Sequence, residues 1–178
     1  MMKDSIDQLL DRFYIEYHNG SFEQAIIILK NILLIEGNGS FWIYSRLSSC
    51  YYEIMKYDIA LRYAKKAYRL NPNSPLVLWD YAGPLIMLKK EQKAIQLLKR
   101  IQNMSDDLTL YGFTDSDITW MQSIKNDSNF LIGKAYYTIC EDVQAKYYIS
   151  KYLYNVDCGL KSIYTKEKAK LLLKKIGK

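Results

Sequence analysis

The sequence predicts an all-α protein made of helix–turn–helix repeats stacked on one another and closed by a C-terminal helix. Three observations carry that expectation. Ala94 follows Ala60 by 34 residues and Tyr51 follows Tyr17 by the same interval, the self-similarity of a repeat architecture. Within 41–54, Tyr44, Leu47, Ser48 and Tyr51 fall at i, i+3, i+4 and i+7, one face of a helix. Ala60, Ala64 and Ala67 then stripe the next helix, where small side chains let antiparallel helices approach to about 8–10 Å. Such a repeat cannot bury its apolar face alone, so it stacks on neighbours.

In chain order, a first repeat occupies about 7–40. Leu10, Phe13, Tyr14 and Tyr17 form its first-helix face, and Phe22 and Ala25 lie 35 residues before Tyr57 and Ala60. The turn His18-Asn19-Gly20-Ser21 is therefore one residue shorter than the next. The second repeat, 41–74, ends at Asn71-Pro72-Asn73, because proline has no N–H and disfavours helix at the residue before it. The third, 75–108, opens on Pro75, suited to a first helical turn. Ala82, Leu85 and Ala94 take the places of Ser48, Tyr51 and Ala60, while Gly83 and Pro84 predict a kink within 76–88.

Ile132, Gly133, Tyr136 and Ala145 reproduce Leu47, Ser48, Tyr51 and Ala60, all displaced by 85 residues. That common offset defines a fourth repeat at about 126–158 and an insertion at 109–125 that lengthens its first helix. Asp115-Ser116-Asp117 reads as the N-cap of this helix, with Leu108–Thr114 as the longest irregular connection. Thr165 can cap a last helix over 165–176, whose apolar face is Ala169, Leu172, Leu173 and Ile176. A terminal helix with one polar face seals the open end of a stack. The whole of 1–178 is read as one domain.

The pattern Tyr44-x2-Leu47-Ser48-x2-Tyr51, followed by Ala60-x6-Ala67-x4-Pro72, resembles the tetratricopeptide repeat, with Tyr for the usual first-helix Trp and Ser for the usual Gly. The resemblance covers about 7–158. It implies an α-α superhelix whose concave groove, lined by first helices, holds a peptide or a helix of a partner protein. On that basis, positions one residue past the packing stripe face the groove. They are Trp42, Ser45, Ser49, Tyr52 and Glu53, then Leu76, Trp79, Gly83, Ile86 and Met87, then Phe130, Lys134 and Tyr137. The set is aromatic and carries charge only at Glu53 and Lys134, which suits an apolar or aromatic segment. Family members that clamp a terminal carboxylate use Lys, Arg and Asn where Ser45, Ser49, Trp79 and Gly83 stand here. The competing reading is that individual members of the set pack against neighbouring repeats.

Composition narrows the alternatives. The net charge is +6, yet residues 161–178 hold seven lysines and one acid, so residues 1–160 sum to zero. Basicity is thus a property of the terminal helix. A second reading follows, a nucleic-acid-associated repeat protein that uses this lysine-rich helix. The start Met1-Met2-Lys3-Asp4-Ser5-Ile6-Asp7 lacks the basic and apolar regions of an export signal. No apolar run approaches the ~18 residues of a membrane span. Cys50, Cys140 and Cys158 form no CxxC pair, consistent with reduced, mostly buried thiols. These features point to a cytoplasmic protein, monomer or homodimer, that does not bind membranes.

Catalysis finds little support. His18 is the only histidine, and no GxSxG, HExxH or GxxxxGK[ST] motif occurs. Asp106, Asp107, Asp115 and Asp117 flank a helix start, where capping accounts for acids. The expectation is a non-enzymatic protein-binding module with no cofactor and no metal.

Overall fold

The computed structural model describes residues 5–37, 39–107 and 118–177. Among them every regular element is a helix: α1 (Ile6–His18), α2 (Phe22–Glu36), α3 (Phe41–Glu53), α4 (Tyr57–Leu70), α5 (Pro75–Met87), α6 (Glu91–Gln102), α7 (Ile118–Thr138), α8 (Asp142–Asp157) and α9 (Lys166–Leu173). The Asp115-Ser116-Asp117 cap and the 108–114 connection lie outside the described residues. The chain forms two compact units, Met1–Leu88 with α1–α5 and Lys89–Lys178 with α6–α9.

In the first unit α1 packs on α2, α2 on α3, and α3 on both α4 and α5. Ser5 opens α1 with a capping box: its Oγ accepts from Gln8 N at 3.3 Å while Gln8 Oε1 accepts from Ser5 N at 2.9 Å. Ser40 caps α3 by accepting from Ile43 N at 3.3 Å. Phe13, Leu29, Ile32, Leu47 and Cys50 are fully buried, as are Ser48, Ala60, Ala64 and Ala67 at the close approach of α3 and α4.

Helix α5 runs unbroken through Gly83-Pro84. Pro84 has no N–H, so the carbonyl of Asp80, four residues earlier, has no intrahelical donor. Ser48 Oγ on α3 lies 3.1 Å from that oxygen and 3.0 Å from Ala60 O. A hydroxyl has one proton to give. Ala60 O has an intrahelical partner in α4 and Asp80 O does not, so the proton belongs on Asp80. Ser48 thus fills the small position of the repeat and also supplies the donor that Pro84 lacks.

In the second unit α7 packs on α6 and α8, and α9 packs on α8. A polar run on α7, Asn126-Asp127-Ser128-Asn129, is buried. Asp127 is satisfied from the segment leading into α9: Ser162 Oγ donates to its Oδ1 at 2.5 Å and Ile163 N to its Oδ2 at 3.3 Å, while Asn129 accepts from Gln102 of α6 at 2.6 Å and Asn126 from Asn155 of α8 at 3.0 Å. Tyr152 OH donates to Tyr164 O at 2.6 Å, and the Tyr164 ring stacks on Phe130 at 4.5 Å. Thr165 Oγ1 then caps α9, accepting from Lys168 N at 3.3 Å.

The turns after α1, α3, α5 and α7 each hold a left-handed residue. Gly20, Met55, Lys89 and Cys140 have φ of +75°, +59°, +55° and +61°. After α1, α3 and α7 the same pair of hydrogen bonds closes the helix, as in Lys56 N to Tyr51 O and Met55 N to Tyr52 O, both 2.9 Å, and Glu141 N to Tyr136 O at 2.9 Å with Cys140 N to Tyr137 O at 3.1 Å. Three of the four left-handed positions carry a side chain, against the preference for glycine there. The thiols also depart from expectation. Cys50 is buried, and burial pushes it up to about 12, whereas Cys140 and Cys158 at helix ends are exposed.

Two stability predictions follow from this packing. Met55→Gly and Cys140→Gly relieve left-handed strain and should each stabilise by roughly 1 kcal/mol, raising Tm by about 2–4 °C. Gly133→Ala should cost about 1–3 kcal/mol, since a Cβ there would lie 2.7 Å from Ile149 Cγ1 and 3.1 Å from Ile149 N. Thermal and urea unfolding read both; an unchanged midpoint for Gly133→Ala would refute the close approach of α7 and α8.

Candidate functional site

The candidate site in the first unit is the face that α3 and α5 present beside α1. Several predicted residues lie there half-buried, their rings fixed by neighbours. Trp42 packs edge-on against Phe13, with centroids 5.6 Å apart, and tilts on Tyr14 at 6.0 Å. Tyr52 lies against Tyr57 at 5.5 Å and over Gly83, where an added Cβ would meet its ring at 3.3 Å. Ser49 Oγ and Tyr17 OH share a hydrogen bond of 2.8 Å. Trp79, Gly83 and Ile86 are half-buried, and Glu53 and Met87 are exposed. Partial burial raises the Glu53 carboxyl above its ordinary range.

Other predicted members are core residues. Ser45 and Leu76 are buried in the first unit and Phe130 in the second, where it packs between Tyr164 and Tyr152. A rule based on position along one helix does not register which neighbour covers the side chain, and here packing and hydrogen bonding claim all three. On α7, Lys134 is exposed and Tyr137 half-buried.

The sequence reading missed the charged pair at the centre of the first-unit face. Asp80, whose side chain is 8% exposed, accepts from Ser45 Oγ at 2.6 Å through Oδ2 and faces Arg46 Nη2 at 3.9 Å. The guanidinium of Arg46 also sits 5.9 Å from the Tyr17 ring centroid, and its Nε is buried without a partner. Burial raises the Asp80 carboxyl, and this outweighs the lowering by Arg46 and by the Ser45 bond. Burial likewise raises the Tyr17 and Tyr52 hydroxyls. Asp80 and Arg46 each occupy the helix position next to a predicted groove residue, so a look one residue to either side would have found them. Together these groups offer aromatic surface with one directed polar pair.

No family model matches the chain, and no curated protein matches it. Its fold is similar to that of solved MamA structures. One crystal structure of MamA superposes with a TM-score of 0.66 at 18% identity, covering 94% of this chain and 78% of that one. A MamA double mutant gives 0.64 at 16%, covering 86% and 76%. A further MamA crystal structure gives 0.59 at 18%, covering 99% and 94%. At such identities the likeness is one of fold. The fold of MamA is tetratricopeptide-like, and this chain shares that all-α, solenoid-type fold. Among the described residues, no helix is long and apolar enough to cross a membrane.

The buried Asp80 carboxyl makes a signed prediction. A carboxyl raised by folding contributes stability that is fully present below its unfolded value, about 3.9, and lost as pH rises through its folded value. Asp80→Asn keeps an acceptor for Ser45 and removes the charge. Its urea midpoint should therefore fall less than that of the parent between pH 4 and pH 7. Parallel pH profiles for the two proteins would show that Asp80 ionises without cost.

Proposed function

We propose that this chain is a non-enzymatic protein-interaction module whose first-unit face on α3 and α5 receives a peptide or amphipathic helix of a partner protein. One observation carries the reading. Trp42, Tyr52 and Trp79 remain only half-buried on adjoining first helices although the same helices have buried cores. Trp42 and Tyr52 are also held in place by Phe13, Tyr14, Tyr57 and Gly83. Aromatic anchors already fixed in position lose little side-chain freedom on binding, and such residues dominate interface energetics.

Arg46 and Asp80 add orientation. The Arg46 side chain is 19% exposed, so a polar or acidic partner group can meet its accessible part. Ile86 and Met87 continue the apolar surface along α5, with Glu53 exposed on α3. This combination favours a segment with apolar side chains flanked by a polar or acidic group. In the second unit, Lys134 and Tyr137 are the accessible members of the corresponding set.

Partner capture by Trp79→Ala and Tyr52→Ala tests the reading. Cross-linking and co-purification from the native cell identify a saturable partner, whose affinity is then measured for each variant. Removing either ring should raise Kd by about 30-fold or more, with helical circular dichroism unchanged. Parent-level affinity in both variants rejects this face as the docking surface.

A further inference from the structure

The first unit holds a second feature that shares no residue with the α3/α5 face. Between α2 and α4, over Tyr51 of α3, lies a cavity of about 440 Å³ lined by Lys30, Tyr51, Ile59, Arg62, Tyr63 and Lys66. Three of the six lining residues are cationic and none is acidic. No carboxylate pairs with Lys30, Arg62 or Lys66 among the described residues. Asp58, one turn before Arg62, is exposed. Arg62 and Lys66 are also four apart on one face of α4, where like charges repel. The ring contacts of Lys30 and Lys66 offset part of this repulsion, but no carboxylate neutralises the three charges.

The second unit supplies an internal control. There Tyr136 and Tyr148 stack at 5.8 Å with Lys99 Nζ 5.4 Å from the Tyr136 centroid. In the first unit Tyr51 and Tyr63 stack at 5.5 Å with Lys30 Nζ 5.7 Å from the Tyr51 centroid. The tyrosines correspond at an offset of 85 and the lysines at 69, so one lysine on a stacked tyrosine pair is a shared packing device. At the same offset of 85, Tyr147 stands for Arg62. The device packs without that arginine. In the first unit Lys66 is itself set over rings, 5.4 Å from the Tyr44 and Tyr63 centroids, which holds its ammonium at the cavity.

We propose that the cleft of Lys30, Arg62 and Lys66 on the α2/α4 side binds a phosphate monoester. Three cations without a carboxylate partner match a dianion better than a single carboxylate. The Arg62 fork can accept two phosphate oxygens, with the lysines as point charges. The ester is carried either by a free solute or by a phosphorylated protein segment, and both present the same group.

Calorimetric titration of the full chain decides the matter, using inorganic phosphate, a capped phosphoserine peptide, its unphosphorylated form, acetate and a short single-stranded oligonucleotide. Phosphate or phosphopeptide should bind with Kd below ~1 mM, and Arg62→Gln or Lys66→Gln should weaken binding by about tenfold or more. Equal affinity for phosphate and phosphopeptide assigns a free solute; tighter phosphopeptide binding assigns a protein-borne group. Lys168→Gln and Lys170→Gln on the exposed face of α9 should leave the affinity unchanged. The proposal is overturned if neither phosphate probe binds, if acetate or the unphosphorylated peptide binds as tightly, if only the oligonucleotide binds, or if the α9 variants match the α4 variants.

Discussion

The carbonyl that Pro84 strips of its donor constrains the first unit more than any other single group. A buried carbonyl left unpaired costs about 1–3 kcal/mol, so α5 must lie where another hydroxyl can reach Asp80 O. Ser48 provides it from 3.1 Å, and Ser45, one turn earlier on α3, donates to the Asp80 carboxylate at 2.6 Å. Backbone and side chain of one residue are thus held by one helix. That fixes the register of α3 against α5 and brings Gly83 under the Tyr52 ring. The aromatic face is therefore a consequence of how a helix-interior proline is accommodated.

The small position of the repeat shows the same economy of means with different chemistry. Ser48, Ala82 and Gly133 occupy it, and each is buried. Serine is there because a donor is needed. Glycine is there because Ile149 lies so close that a Cβ would overlap it. The shared requirement is closeness of two helices; the particular residue records what the opposing helix brings.

These differences mark the boundary of what the sequence could tell. The alanine stripe and the common offset of 85 residues are spacing signals, and spacing is what a linear chain displays. Hence the helical class, the long α7 and the Thr165 cap could be read directly. The left-handed turns could not, because Met55, Lys89 and Cys140 give no glycine signal, and the geometry comes from the hydrogen bonds that close the preceding helix. Asp80 was equally hidden. A carboxylate on a helix normally reads as solvated, and only the arrival of Ser45 and Arg46 from α3 makes burial tolerable. Ser45, Leu76 and Phe130 failed as surface residues for the converse reason: contacts from distant parts of the chain cover them.

Within the first unit, the two faces differ in the forces they can exert. On α3 and α5 the half-buried rings surround a largely buried Arg46–Asp80 pair, so binding there draws chiefly on apolar area and shape, with weak dependence on salt. Between α2 and α4 the cations are unmatched, so attraction acts at longer range and weakens as salt is added. Tyrosine serves both faces, as an anchor at Tyr52 and as a floor under Lys30 and Lys66 at Tyr51 and Tyr63. Since no lining residue is common to the two, occupation of one leaves the other's contacts intact, and a protein segment and a phosphate group could be held by the same five helices at once.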